Sequence, residues 1–127
     1  MSPIVFPYAL HKGYIMPLIP IIVQGHKIWA YVDSGAMFSI LHVAEAERIG
    51  INWQTGRLQM DVVGDGSFIP VYFHDLALQI ADWQFTAPVG FSERLGVGFN
   101  LLGRNGVFSQ FQVCFNDRDR VTTFQKL

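Results

Sequence analysis

The sequence has 127 residues, nine Lys and Arg against ten Asp and Glu, a formal net charge of -1, and is 50% hydrophobic. A chain of that length and composition reads as a single domain, residues 1–127, able to bury a core without staples. The cations are scattered and form no basic stripe, which argues against a nucleic-acid partner, and the single cysteine, Cys114, excludes an internal disulfide or a thiol-based zinc knuckle.

Residues 1–16, rich in Tyr, Pro and His, fit either a removable leader or a strand. Their start, Met1-Ser2-Pro3-Ile4, lacks the basic residues and small-residue cleavage site of a signal peptide. The most apolar run, 15–23, is broken by Pro17 and Pro20 and is about half of the roughly 20 residues that span a bilayer. The chain therefore reads as soluble, with no membrane contact and an undecided compartment. Strands are expected at 19–23 and 27–32, joined by a tight hairpin at Gln24-Gly25-His26 that leads directly into Asp33.

Residues 42–49 are good helix formers and stop at Gly50, which predicts a helix of two turns at most. Two strands, 57–63 and 67–73, flank Gly64-Asp65-Gly66, whose Asp-Gly step suits a projecting hairpin tip. Leu76, Leu78 and Ile80 alternate with Ala77, Gln79 and Ala81 as a half-buried strand, with 83–89 as its antiparallel neighbour. A single helical turn is expected around Val107 and Phe108. Phe111, Val113 and Phe115 then alternate, Asn116-Asp117 turns, and 121–125 closes the chain as a strand. Short strands at close intervals predict an all-β barrel or sandwich.

An acid between an apolar strand and a Ser-Gly turn is unusual, because Asp is depleted from strands and costly to bury as an unpaired ion. Compensation is expected from the Ser34 hydroxyl and nearby backbone N–H groups, with Gly35 permitting close approach. The plainer reading is that Asp33 starts a turn by bonding its own backbone two residues on. Asp-Ser/Thr-Gly arises by accident in roughly one chain in ten or twenty of this length, so its surroundings carry the argument. Ala30-Tyr31-Val32-Asp33-Ser34-Gly35 is echoed by Phe99-Asn100-Leu101-Leu102-Gly103, an apolar strand followed by a turn glycine.

This arrangement resembles the retropepsins, the single-domain aspartic proteases of retroviruses and their relatives. Residues 17–36 match the family's N-terminal hairpin and catalytic turn, and Asn100-Leu101-Leu102-Gly103-Arg104-Asn105 looks like its second signature, with the Gly-tipped hairpin between them. The resemblance spans about Pro17 to Asn116. It implies an all-β, closed acid-protease (retropepsin-like) barrel with one or two short helices, one domain per subunit of a homodimer. Each chain would contribute a single catalytic Asp33 to an endopeptidase acting on polypeptide substrates, with no metal and no cofactor.

The resemblance further implies that Ser34, Gly35 and Ala36 support the site, and that Val63, Gly64, Asp65, Gly66 and Ser67 form a flap. Leu102, Gly103, Arg104 and Asn105 would be structural residues at its base. Met37 stands where retroviral members usually carry an acid, and Gly64-Asp65-Gly66 stands in place of adjacent glycines. The rival readings are a catalytically inactive dimerisation or peptide-binding module on the same fold, and an unrelated small β-barrel with Asp33 as a turn residue.

Other signals have plainer meanings. The segment 98–105 lacks the Lys and Ser/Thr of a phosphate loop. His11, His26, His42 and His74 are dispersed, without metal-ligand spacing. Cys114 reads as a structural thiol, Trp29, Trp53 and Trp83 as core or interface residues, and Asp117-Arg118-Asp119-Arg120 as a solvated turn.

Overall fold

The computed structural model describes residues 2–62, 65–95 and 98–127. The N-terminal residues left open by the sequence are strands: β1 (Ile4–Pro7), then a hairpin of β2 (Ala9–His11) and β3 (Tyr14–Met16). Its tip, Lys12-Gly13, has positive φ at both residues (49° and 85°), matching the right-handed twist of a two-residue hairpin.

β4 (Leu18–Val23) and β5 (His26–Val32) follow, joined at Gln24-Gly25 by the same kind of turn. The hairpin is thus one residue tighter than expected, since His26 already pairs with Val23. Along β5, Ile28, Ala30 and Val32 point inward and are buried.

β6 (Ser39–His42) runs into α1 (Val43–Arg48). His42 caps α1 by accepting the Ala44 N–H on Nδ1 at 3.1 Å, and Gly50 in the left-handed region (φ 81°) ends it. A 3-10 turn at Trp53–Thr55 was not foreseen. It is capped by Asn52, whose side chain accepts the Gln54 N–H.

β7 (Arg57–Val62), β8 (Phe68–Ile80) and β9 (Trp83–Ser92) form a meander. β8 is one strand where the sequence suggested two. Its pairing with β9 is unbroken from Tyr72↔Phe91 to Ile80↔Trp83, yet its buried residues shift from Ile69, Val71 and Phe73 to Leu76, Leu78 and Ile80. Successive side chains face opposite sides, so β8 serves two clusters. The first set joins Ile40 in a small cluster near the β7 hairpin, and the second joins the main core. Gly90 accommodates the first set, since a Cβ there would lie 2.3 Å from Val71 Cγ1.

β10 (Leu101–Leu102) lies between β5, to which it is parallel, and β6, to which it is antiparallel. The segment after it is a run of turns, with the Val107 and Phe108 N–H groups both bonded to the Arg104 carbonyl. β11 (Phe111–Asn116) and β12 (Val121–Lys126) complete the chain.

The strand order β4-β5-β10-β6-β9-β8 closes on itself, because β4 also pairs with β8 at Ile22↔Gln79 and Val23↔Leu78. Gln24 reinforces this seam by accepting the Ala77 N–H at 2.7 Å. The C-terminal residues finish the chain's own three-stranded sheet, in the order β1-β12-β11. Fully buried Phe111 and Phe124 meet edge-on at 5.4 Å and tie this sheet to the barrel core.

Candidate active site

Asp33 follows the last residue of β5, and its backbone is fixed from both sides. Its N–H donates to the Leu102 carbonyl at 3.0 Å, and its carbonyl accepts from Ala36 N–H at 3.2 Å. The carboxylate accepts the Gly35 N–H on Oδ1 at 2.8 Å. This is the self-bonded turn of the plainer sequence reading, and it also aims the carboxylate. The expected help from Ser34 is not observed: Ser34 is exposed, and the backbone of Gly35 supplies the bond.

β10 and the residues after it clamp this turn. Arg104 N–H donates to the Ala36 carbonyl at 2.9 Å, and Asn105 N–H donates to the Met37 carbonyl at 2.7 Å. Gly103 is buried and its N–H donates to Ser39 Oγ at 3.0 Å. Leu102 is fully buried above the core. Leu102, Gly103, Arg104 and Asn105 thus bear on the Asp33 turn and the residues after it through backbone bonds and packing. The Arg104 side chain is exposed, and the one ion pair among the described residues is Arg48–Glu45.

Asn100 opens the second signature segment, but the sequence reading gives it no role of its own. Its Oδ1 accepts the His42 N–H at 2.9 Å, and its Nδ2 donates to the Trp29 carbonyl and to Glu45 Oε2. One amide thus joins β5, β6 and α1 to the entry of β10. The available signal was a polar residue inside an apolar strand pattern. Ser39, buried at 2% exposure, carried the same signal.

Asp33 and Ser34 open into a cavity of about 400 Å³ whose wall includes Tyr8, Ile15, Met16, Tyr31, Phe115 and Asp117. Tyr8 Oη donates to Asp117 Oδ1 at 2.7 Å. Partial burial first, and this bond to Asp117 second, push the Tyr8 hydroxyl up to about 12. A larger hollow of about 960 Å³ lies among Leu18, Trp29, Asp65, Ile69, Leu95 and neighbours and does not include Asp33. Tyr31 borders the first hollow and Phe99 the second, and the two rings stand 5.0 Å apart.

β7 and the start of β8 project beyond the barrel. Leu58, Met60, Val62 and Phe68 are all more than half exposed, although Val62 still pairs with Phe68. Beyond that pair, Asp65 Oδ1 accepts from both the Ser67 N–H (2.9 Å) and Ser67 Oγ (2.6 Å). These bonds, led by the Ser67 hydroxyl, hold the Asp65 carboxyl below the usual carboxylate range. Asp65, Gly66 and Ser67 thus stand at the expected hairpin tip, while Val63 and Gly64 lie outside the described residues.

Two of the histidines are held in the scaffold: His42 caps α1, and His74 Nε2 lies 3.0 Å from the Trp53 carbonyl oxygen. Among the described residues, no helix is long and apolar enough to cross a membrane.

A closed barrel that pins an aspartate turn against a parallel two-residue strand is the acid-protease architecture in its retropepsin-like form. Residues 19–105 match the aspartyl protease family, which is more than half of the chain, and the chain belongs to that family. Among solved structures, it is similar to a retropepsin-like aspartic protease from Rickettsia conorii. That match has 17% identity and a TM-score of 0.73, and covers 97% of this chain and 98% of the other. It is also similar to EIAV protease complexed with the inhibitor HBY-793. There the identity is 15% and the TM-score 0.58, with 76% of this chain and 88% of the other covered. No curated protein matches the sequence.

Proposed function

We propose that the chain, as a single domain of residues 1–127, is an aspartic endopeptidase that works as a homodimer, each subunit placing one Asp33 at a shared two-fold axis. The observation that carries this reading is the Asp33 turn, with its carboxylate oriented by the Gly35 N–H at 2.8 Å and its backbone pinned to β10. No second Asp-Ser/Thr-Gly exists in the sequence, so a dyad requires two chains.

Two carboxylates about 3 Å apart cannot both ionise cheaply and share one proton. The ionised one takes a proton from water, the water oxygen attacks the scissile carbonyl, and the protonated one donates to the carbonyl oxygen. Collapse of the tetrahedral intermediate returns a proton to the leaving amine. This chemistry needs no metal and no cofactor.

Gly35 and Ala36 hold Asp33 within its own chain, the exposed Ser34 is left to bond across the two-fold axis, and Leu102, Gly103, Arg104 and Asn105 brace the dyad from below. The hairpin tip at Asp65, Gly66 and Ser67 serves as a flap that closes over an extended polypeptide and excludes water. Of the two hollows, the larger one offers apolar walls, at Leu18, Ile28, Trp29, Ile69 and Leu95, and these favour cleavage at apolar positions. The exposed Met37, standing where an acid is usual, favours the rival reading of an inactive peptide-binding module.

Incubating wild type and Asp33→Asn with a diverse peptide library from acid to neutral pH, and reading new termini by mass spectrometry, separates the two. Cleavage by wild type alone supports the protease. If neither protein cuts while the dimer is intact, the binding module takes its place.

A further inference from the structure

The surface beside Asp33 carries apolar side chains that the described fold leaves uncovered. Leu10 and Ile15 are cross-strand partners in the β2–β3 hairpin, so they share one face. That face is in solvent, with Leu10 73% and Ile15 48% exposed. On the opposite face Ala9, His11 and Met16 are partly buried, the His11 ring meeting Phe99 edge-on at 5.5 Å, while Tyr14 at the tip is exposed. The hairpin pairs with no other described strand, and a two-stranded ribbon is marginal in water on its own. An apolar pair on its outer face adds to that cost unless something covers it.

Its position identifies the cover. Ile15 also walls the Asp33 cavity, together with Phe115, which is 43% exposed. The Leu10–Ile15 face is therefore continuous with the surface around Asp33. A dyad brings two Asp33 carboxylates to about 3 Å, and everything beside that cavity then comes within reach of the second copy. An isologous contact presents the same patch twice, so one exposed hairpin per chain becomes two covered hairpins per dimer. The hairpin lies outside the 19–105 segment that matches the family.

We propose that the outward Leu10–Ile15 face of the β2–β3 hairpin is a docking surface for a second copy of this chain, acting as an arm that holds the subunits together beside the Asp33 cavity. This inference rests on the homodimer reading above. The test is sedimentation velocity over a concentration series, with cleavage rates on the same samples, for wild type, Leu10→Glu and Leu10→Met.

Leu10→Glu is expected to raise the dimer dissociation constant at least about tenfold, with activity restored at high protein concentration. Leu10→Met keeps an apolar face and should behave as wild type. Leu10 is largely exposed, so the subunit should stay folded, which circular dichroism at low concentration checks. A wild-type dimer with Leu10→Glu dimerising equally well overturns the docking surface and leaves the dyad reading standing. A wild type that stays monomeric and inactive at every concentration overturns both. Unchanged dimerisation with faster cleavage in Leu10→Glu also overturns it, marking the hairpin as a lid on its own cavity.

Discussion

Gly103→Ala should damage fold and site together. A Cβ at Gly103 would lie 2.2 Å from the Phe38 carbonyl oxygen, 2.3 Å from the Phe38 carbonyl carbon and 2.9 Å from the Ser39 nitrogen. All three are backbone atoms, so no rotamer change relieves the clash. Carbon and carbonyl oxygen normally stay about 3.3–3.6 Å apart, so β10 and the 38–39 backbone must separate by roughly 1 Å.

That shift strains the Gly103 N–H bond to the buried Ser39 Oγ. Overpacking costs about 1–3 kcal/mol, and an unsatisfied buried N–H costs about 1–3 kcal/mol more. A total near 3 kcal/mol lowers Tm by about 10 °C for a chain of this size. The same shift moves the Leu102 carbonyl that holds the Asp33 N–H, and a 1 Å misplacement of a catalytic group costs roughly 10²-fold in rate. Differential scanning calorimetry and peptide cleavage at a temperature where the variant is folded check both numbers. Ser39→Ala, which removes only the acceptor, should lie between wild type and Gly103→Ala. A Gly103→Ala protein within about 2 °C of wild type and equally active would refute the claim that β10 positions Asp33.

Tyr8→Phe removes the bond to Asp117 and should lower stability by about 0.5–1.5 kcal/mol, measured by urea denaturation. In wild type the Tyr8 hydroxyl is raised from 10.0 to about 12. Its contribution is therefore fully present below about pH 10 and is lost as pH rises towards 12, which an ultraviolet titration of the tyrosines follows. Ser67→Ala removes the leading cause of the depressed Asp65 carboxyl and should move its titration upward in an NMR pH series. Since the folded value lies below the unfolded one, wild-type Asp65 supports its turn above the ordinary carboxylate range and loses that support only as pH falls through the depressed value.

Much of the barrel was legible because local rules sufficed. Gln24-Gly25 and the 76–89 hairpin follow from turn chemistry and alternation, and Gly50 stops α1 where a left-handed residue is needed. β8 was read as two strands because its buried parity changes between Phe73 and Leu76. A change of phase looks like a break when only one core is assumed, whereas this strand buries opposite faces in two clusters. The 3-10 turn at Trp53–Thr55 gave no repeating pattern to detect.

The Asp33 turn and its Gly103 partner were readable from their shared strand-and-glycine pattern. The Asn100 and Ser39 clamps were not, although each is a polar residue in an apolar run. The bond from Tyr8 to Asp117, 109 residues apart, has no local signature at all. Likewise, residues 1–16 could not be placed from sequence because β1 is defined only by its partner β12.

The most direct test of one Asp33 per subunit is a mixing experiment. Wild type is held constant and Asp33→Asn is titrated in under conditions of subunit exchange, with cleavage followed throughout. Homodimers sharing one site predict that activity per wild-type chain falls in proportion to the wild-type fraction, as mixed dimers lose half of the dyad. Activity that stays constant while mixed dimers are seen by native mass spectrometry would contradict the account, because each chain would then be cutting with a site of its own.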